Sequence, residues 1–270
     1  MGRYEPFSSL TGVNQNPVIL FTVMFLITVG GLGFFVWNDL REHAFHFKKY
    51  ALHTKILLTF SFVLTFGGAL AFYLIERNHL FAGMSVPAGL MNALFCSVTP
   101  RTAGFNSIDV GSMTDAGKLL TVILMFIGGG SGSTAGGIKV TTFAVLFVYI
   151  KTNLTRSASS NIFGRRIEDD ALKKASAVAS YNLMLALTAA VLICTFQNLN
   201  GMDVLLEVFS AIGTVGMTAG LTTHLCLASH LILILLMYLG RVGSLSFAMS
   251  FTDKKRIAHV MLPAEKINIG

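Results

Sequence analysis

Charged residues are scarce in this chain of 270 residues. Only 12% of its residues are Asp, Glu, Lys or Arg, whereas 53% are hydrophobic and the mean hydropathy is +0.68. A soluble globular domain usually carries about 25% charged residues. This shortage of charge argues against a soluble domain and predicts an integral membrane protein.

The side chains that enzymes and metal sites use are also sparse. The three cysteines, Cys96, Cys194 and Cys226, lie singly in or beside apolar stretches, and no two of them have metal-ligand spacing. The sequence has no nucleophile–base constellation and no carboxylate pair in a plausible pocket. We therefore expect a protein that is not an enzyme, that holds no cofactor and whose cysteines are packing residues.

Long apolar runs, in contrast, are plentiful. A spanning helix needs about 20 mainly apolar residues. Five regions reach this length, approximately Pro17–Trp37, Lys55–Ile75, Ala116–Ile150, Ala175–Phe196 and Cys226–Phe251. Two further apolar segments, Pro87–Val98 and Asp203–Ile212, are too short to span. The predicted fold is an all-α membrane protein with five spanning helices and two re-entrant pore helices.

A short polar stretch follows each predicted pore helix. Thr99 to Asn106 reads Thr-Pro-Arg-Thr-Ala-Gly-Phe-Asn, and Gly213 to Thr218 reads Gly-Thr-Val-Gly-Met-Thr. Polar backbone at membrane depth is tolerated only where protein buries it or where it lines a watery cavity. The carbonyl oxygens of such loops can replace the hydration shell of an ion. The alternative is an ordinary glycine-containing loop, but two matching copies favour an ion filter. Its predicted residues are Thr102, Ala103, Gly104, Phe105, Thr214, Val215, Gly216 and Met217.

A glycine-rich break interrupts the third long apolar region. Its glycine spacing partly matches a phosphate-binding loop, but Ile138 stands where that motif requires lysine. We predict instead a helix unwound in mid-membrane that acts as a gate, with a packing kink as the alternative. The predicted gate residues are Gly128, Gly129, Gly130, Ser131, Gly132, Ser133, Thr134, Ala135, Gly136 and Gly137.

Two cations are expected at membrane depth. Arg241 lies near the middle of the last apolar region, and Lys139 directly follows the glycine-rich break. A buried cation is costly in a membrane and should face a partner or a watery cavity. Both residues are therefore predicted to restrict the conduction path. The alternatives are a structural salt bridge or carbonyl cap for Arg241 and a snorkelling side chain for Lys139.

The distribution of basic residues predicts the orientation. Of the 20 Lys and Arg residues, 14 lie in the loops 38–55, 151–174 and 252–270. Lys and Arg accumulate on the cytoplasmic side of membranes, so these loops and the C-terminus should be cytoplasmic and the filter should open outward. The same distribution explains the net charge of +7 without nucleic-acid binding.

Internal repeats divide the chain into units. Leu124 to Ser131 aligns with Leu236 to Gly243 and with Leu26 to Gly33, and the filter segments repeat as well. The repeating unit is helix, pore helix, filter loop, helix. We predict the end of one unit in residues 1–54 and complete units in 55–172 and 173–270. Because the second helix occurs three times and the filter twice, the chain is expected to begin after the filter of a preceding unit.

These features resemble the Trk/Ktr/HKT superfamily of potassium transporters, and the tail from Pro263 to Gly270 is similar to bacterial Ktr-type translocating subunits. The specific motifs are Thr99 to Asn106, Gly136-Gly-Ile-Lys139 and Gly240-Arg-Val-Gly243. The resemblance implies K⁺ bound by backbone carbonyls near Gly104 and Gly216, a gating loop at Gly128–Gly137 and a pore-side Arg241. It implies four such units in one polypeptide, so that residues 1–54 would end the second unit, 55–172 would form the third and 173–270 the fourth. It also implies a homodimer and separate cytoplasmic nucleotide-binding regulatory subunits.

The expected function is potassium uptake across a bacterial inner membrane, as the C-terminal part of the pore-forming subunit. Three alternatives remain open at this point: a sodium-permeant pore, an ion-coupled secondary transporter and a non-conducting fragment. Discontinuous helices also occur in secondary transporters, but the parallel repeats with re-entrant loops favour a channel-like pore.

Overall fold

The computed structural model describes residues 8–44, 46–156 and 159–242, and within these ranges the chain is mostly helical. Its α-helices are α1 (Pro17–Gly31), α2 (Phe34–His43), α3 (Leu52–Glu76), α4 (Val86–Val98), α5 (Asp115–Phe126), α6 (Val140–Leu154), α7 (Asp169–Phe196), α8 (Gly201–Ile212) and α9 (Leu227–Val242). Short 3-10 helices lie at Thr11–Val13, Phe47–Lys49 and Leu221–His224, and a hairpin pairs β1 (Asn161–Ile162) with β2 (Arg165–Arg166).

Two of these helices are long and apolar enough by themselves to cross a membrane. They are α3 with 25 residues and α7 with 28 residues. The helix α7 begins beside the acidic triplet at Glu168, because Asp169 and Asp170 in its first turn favour the positive end of the helix dipole. The helices α4, α6 and α9 are apolar but shorter within the described residues.

The first predicted span is bent. Instead of one helix over Pro17–Trp37, α1 stops at Gly31 and α2 continues at 94° to it. Gly33 lies in the elbow, and a Cβ there would approach the carbonyl oxygen of Ser131 to 2.5 Å. The elbow therefore packs closely against the glycine-rich break. The hydropathy of the sequence gave no indication of this contact.

Two other predicted spans, Lys55–Ile75 and Ala175–Phe196, differ from α3 and α7 only at their ends. The region Ala116–Ile150 is two helices, α5 and α6, separated by the glycine-rich segment, as the unwinding prediction requires. The last region is helical from Leu227 to Val242, and its continuation to Phe251 lies outside the described residues. The predicted unit boundaries at residues 54 and 172 fall in the first turns of α3 and α7.

The two short predicted pore helices form the centre of the molecule. The helix α8 is buried without interruption from Leu206 to Ile212, and α4 is buried from Asn92 to Val98 except at Leu94. Side chains of α8 join a core cluster with Phe72 of α3 and Met125 of α5. Because α8 and α4 bury polar side chains such as Glu207 and Asn92 together with apolar ones, their surroundings are the neighbouring helices of the protein.

The loops separate into two ends. At one end, Phe47 contacts Phe163 with ring centroids 6.0 Å apart, which joins the loop after α2 to the β-hairpin. At the other end, the hydroxyl of Thr114 donates to Glu76 at 2.6 Å. The loops 38–55 and 151–174, which the charge count assigned to one side, therefore lie at the same end.

Candidate functional site

The first predicted filter loop is a compact turn at the end of α4. The hydroxyl of Thr99 donates to the carbonyl oxygen of Phe105 at 2.6 Å, and the amide of Ala103 donates to the carbonyl oxygen of Thr99 at 3.2 Å. Further out, the amide of Asn106 donates to the hydroxyl of Ser9 at 3.1 Å. These bonds close the loop on itself and on the segment that precedes α1.

The second predicted filter loop is closed in a similar way at the end of α8. The amide of Val215 donates to the carbonyl oxygen of Ser210 at 2.8 Å, and the amide of Gly216 donates to the hydroxyl of Ser210 at 3.1 Å. The side chains of Val215 and Met217 are buried in the core. The core thus holds the side chains and leaves the main chain of Gly216 exposed.

Both Thr-x-Gly tripeptides have the same unusual backbone. The φ angles are +66° at Thr102 and +76° at Gly104, and +53° at Thr214 and +87° at Gly216. A threonine in the left-handed region is uncommon and costly. Its recurrence at equivalent positions shows that the sequence repeat is also a conformational repeat.

The two loops lie against each other. A Cβ at Gly104 would collide with the carbonyl oxygen of Val215 and would lie 3.3 Å from the carbonyl carbon of Gly216. No atom lies within 4 Å of the corresponding point at Gly216. The structure therefore brings the two predicted filter strands together.

Arg101 connects the first filter loop to α3, a role that the sequence did not indicate. Its guanidinium donates to the carbonyl oxygen of Ser61 at 3.3 Å and to the hydroxyl of Thr65. Its partners are a backbone oxygen and a hydroxyl on another helix, so no local sequence pattern indicated this contact.

The glycine-rich segment is a loop closed at its base. The amide of Gly128 donates to the carbonyl oxygen of Ile138 at 2.8 Å, and the amide of Val140 donates to the carbonyl oxygen of Gly129 at 3.0 Å. Near its far end, a Cβ at Gly136 would lie 2.8 Å from the carbonyl oxygen of Gly213. The predicted gate thus contacts the residue that precedes the second filter tripeptide.

Both predicted cations bind this segment. Arg241 donates to the carbonyl oxygen of Thr134, and Lys139 donates to the carbonyl oxygen of Ala135. Arg241 also lines a cavity of about 490 Å³ together with Thr214 and Gly216. Arg241 therefore caps a backbone carbonyl group, as the alternative interpretation proposed, and it also faces a cavity.

The elbow between α1 and α2 holds the other side of the segment. The amide of Gly130 donates to the carbonyl oxygen of Gly31 at 2.8 Å, and the amide of Phe34 donates to the carbonyl oxygen of Gly132 at 3.3 Å. This connection was not expected from the sequence, because the residues are about one hundred positions apart.

Two buried acids were also missed. Glu207 of α8 accepts hydrogen bonds from the hydroxyls of Thr218 and Thr222, the latter at 2.9 Å, and so supports the exit of the second filter loop. Glu76 is fully buried and accepts from the amide of Thr114 at 3.0 Å, beside the first residue of α5. The available signal was an acidic residue inside an apolar segment for Glu207 and at the end of one for Glu76.

Comparison with known proteins agrees with this architecture. Residues 5–259 match the TrkH family, described as cation transport proteins. The chain belongs to the TrkH family. The resemblance to the Trk/Ktr/HKT superfamily is thereby confirmed, and so is the expectation that the chain is not an enzyme.

Relatives in other organisms carry transport names. The chain is 39% identical to the potassium/sodium uptake protein NtpJ of Enterococcus hirae, over 97% of this chain and 59% of that protein. It is 35% identical to the Ktr system potassium uptake protein B of Bacillus subtilis, over 94% of this chain and 57% of that protein. The chain therefore spans somewhat more than half the length of these relatives.

A solved structure shares the fold of this TrkH family member. The crystal structure of the potassium transporter TrkH from Vibrio parahaemolyticus superposes with a TM-score of 0.70 at 18% identity. The match covers 88% of this chain and 53% of that chain. The mostly helical membrane-protein fold is thus confirmed, whereas the roles of the filter and gate residues stay predictions.

Proposed function

We propose that this chain takes part in potassium uptake by contributing two filter strands to a cation pore. The observation that carries the proposal is the pair of Thr-x-Gly loops, which share one left-handed backbone pattern and lie in contact at Gly104 and Val215. Dehydrated K⁺ would bind the backbone carbonyls near Gly104 and Gly216, as main-chain oxygens do in potassium filters.

The pore helices favour a cation at this place. The helices α4 and α8 end at Val98 and Ile212, immediately before the two filter loops. The C-terminal end of a helix carries a partial negative charge, equivalent to about half an elementary charge. Two such ends next to the same pair of loops would stabilise a cation that has left its water shell.

The glycine-rich segment would act as the gate. It contacts the second filter loop at Gly213, and Arg241 and Lys139 hold two of its adjacent carbonyl groups. A positive charge next to a cation pathway opposes passage. Movement of the segment would displace the carbonyl groups that Arg241 and Lys139 bind. The two cations would then leave the pathway and open it.

The membrane setting follows from length and charge. In this proposal α1, α3, the α5–α6 pair, α7 and the region that begins with α9 are the five spanning elements, and α4 and α8 are re-entrant. The basic loops would face the cytoplasm together with the C-terminus, in a bacterial inner membrane. By analogy with Ktr-type systems, the assembly would be a homodimer with separate nucleotide-binding regulatory subunits and no cofactor in this chain.

A sodium-permeant pore is the second candidate, because the relative from Enterococcus hirae is named a potassium/sodium uptake protein. Measuring which cation competes decides between the two. Uptake of Rb⁺ into potassium-transport-deficient cells that express this protein should be inhibited by K⁺ and hardly by Na⁺. Equal inhibition by both ions would favour the sodium-permeant pore.

Gly216→Ser tests the filter assignment in the same assay, and Gly220→Ser is its matched control. Both glycines have a φ near +90° and nothing within 4 Å of an added Cβ, so both changes introduce similar backbone strain. Only Gly216 belongs to the tripeptide. We expect G216S to lower the discrimination between Rb⁺ and Na⁺ while G220S retains it. Unchanged discrimination in G216S would refute the assignment.

A further inference from the structure

A cavity of about 400 Å³ lies between α3, α6 and the β-hairpin, at the end of the molecule that carries the basic loops. Its lining has two parts. Phe60 and Phe147 form an aromatic part, and Lys151, Thr152, Ser159 and Asn161 contribute to a polar part. This division matches an amphipathic ligand rather than a purely polar or purely apolar one.

The helical repeat produces this arrangement. Phe147 and Lys151 of α6 and Thr155 at its C-terminal cap are spaced by four residues, so one side of the helix presents the aromatic ring, the cation and the hydroxyl in order. The ring of Phe147 meets that of Phe60 edge to face, with centroids 5.9 Å apart. The aromatic part is therefore a joint between α3 and α6.

The hairpin closes the polar part from the other side. The side-chain amide of Asn161 donates to the hydroxyl of Ser159 at 2.9 Å, and the amide of Ile167 donates to the carbonyl oxygen of Ser160 at 2.9 Å. At the hairpin tip, Phe163 rests on Phe47. The hairpin thus has its own support, and the space between it and α6 is a feature of the folded structure.

Lys151 is the charged residue among those that line the cavity, and the sequence that follows it as far as Arg166 is basic. Residues 151–166 contain Lys151, Arg156, Arg165 and Arg166 and no acidic residue. Clusters of basic residues next to a membrane helix attract anionic lipids by about 1 kcal/mol per cation. Among the described residues, the ion pair recorded for this segment joins Arg166 to Asp169 at 3.2 Å, on an exposed surface.

The apolar face of α6 continues from the cavity to the outside. Phe147, Ile150 and Leu154 are 53%, 57% and 80% exposed. In a membrane helix such residues face acyl chains. A lipid tail that lies along Ile150 and Phe147 would reach the aromatic part of the cavity.

We propose that this cavity binds an anionic phospholipid, with its phosphate at Lys151 and an acyl chain against Phe60 and Phe147. The proposal rests on the membrane embedding in the proposed function but not on the identity of the transported ion. A bound lipid would bridge α3 and α6, and α6 begins at Val140, directly after the predicted gate. The lipid would therefore stabilise the position of α6, the helix that follows the gating segment.

Lipid binding is tested by native mass spectrometry of the delipidated protein with vesicles of dioleoylphosphatidylglycerol or dioleoylphosphatidylcholine. Lys151→Gln should weaken retention of the anionic lipid about fivefold, the loss of one surface cation's attraction. Lys174→Gln, the same charge change on exposed α7, is the control and should retain it. Equal retention by K151Q and the wild type would overturn the proposal.

A second variant separates lipid from a soluble anion. Phe147→Ala leaves every charge in place, and because Phe147 is half exposed it should fold normally. We expect F147A to lose phosphatidylglycerol as K151Q does. If F147A retained it fully and glycerol phosphate displaced it completely, the cavity would be a soluble phosphate site and the proposal would be wrong.

Flux measurements distinguish this proposal from the transport function. In vesicles of rising phosphatidylglycerol content, wild-type Rb⁺ flux should rise and K151Q flux should not follow. If no lipid mixture supported flux while K151Q still lost the lipid, the transport proposal would fail and the lipid site would stand. If K151Q flux rose like that of the wild type, the regulatory part would be refuted.

Discussion

At the scale of single residues, glycine decides where the filter backbone can approach itself. Gly104 and Gly216 share a left-handed backbone, but only Gly104 faces a neighbouring carbonyl group, that of Val215. A side chain at Gly216 would therefore cause only backbone strain, whereas a side chain at Gly104 would cause the same strain and also a steric clash. This distinction needs the folded structure, since both glycines occupy the same place in the sequence repeat.

Gly104→Ala should be more damaging than Gly216→Ala. A Cβ in the left-handed region costs about 1–2 kcal/mol, and this strain applies to both variants. The alanine at position 104 would also displace the main chain of Val215. We expect a lower melting temperature and lower Rb⁺ uptake for G104A than for G216A, and equal values for the two would contradict the contact between the loops.

At the scale of elements, buried polar contacts hold neighbouring helices together. Lys118 of α5 and Asp203 of α8 form an ion pair at 2.7 Å, with exposed side-chain fractions of 9% and 24%. The pair joins the predicted third and fourth units. A second element contact joins the α1–α2 elbow to the gating segment through Gly31 and Gly130.

Lys118→Met should destabilise the protein, because it leaves Asp203 without its partner. Breaking a buried pair costs about 3–5 kcal/mol, and the partial exposure of Asp203 places this case near the lower limit. Chemical denaturation measures the loss. The double variant K118M/D203L should recover most of it, whereas Arg166→Gln in an exposed pair should change stability by about 0.5 kcal/mol or less.

Gly33→Ala tests the coupling between the elbow and the gating segment. An alanine Cβ would press on the carbonyl oxygen of Ser131 and move the segment. We expect altered Rb⁺ flux and a lower melting temperature. Gly30→Ala is the control, because Gly30 lies inside α1 with nothing within 4 Å, and Ala there should be neutral or stabilising. Identical behaviour of both variants would exclude the coupling.

At the scale of the whole molecule, charge and length give the chain a direction in the membrane. The loops with most basic residues share one end through Phe47 and Phe163. At the other end, two of the few cations are used internally, since Lys118 binds Asp203 and Arg101 binds α3. Because these two cations are bound inside the protein, the difference in exposed positive charge between the two ends is larger than the residue count alone suggests.

Labelling of single cysteines tests this orientation. Thr223 and Lys49 are exposed at opposite ends, so each is replaced by cysteine in a protein lacking Cys194 and Cys226. A membrane-impermeant maleimide added to intact cells should label T223C and not K49C. Labelling of K49C alone would mean that the chain is inserted in the opposite direction.

The sequence alone was sufficient for features that depend on local composition. The apolar runs indicated the helices, and the glycines indicated the break between α5 and α6. Helix formation, capping and unwinding depend on residues a few positions apart, and so these features can be read directly along the chain.

Only the tertiary structure decided which segments meet. It placed Gly104 against Val215, Gly33 against Ser131, and Arg241 on Thr134. It also showed that Arg101 and Glu207 hold the filter loops in place through hydrogen bonds. These contacts join residues that are far apart in the chain. The atoms contacted are backbone atoms or hydroxyl groups, which occur throughout every sequence, so no local pattern shows which of them will be used.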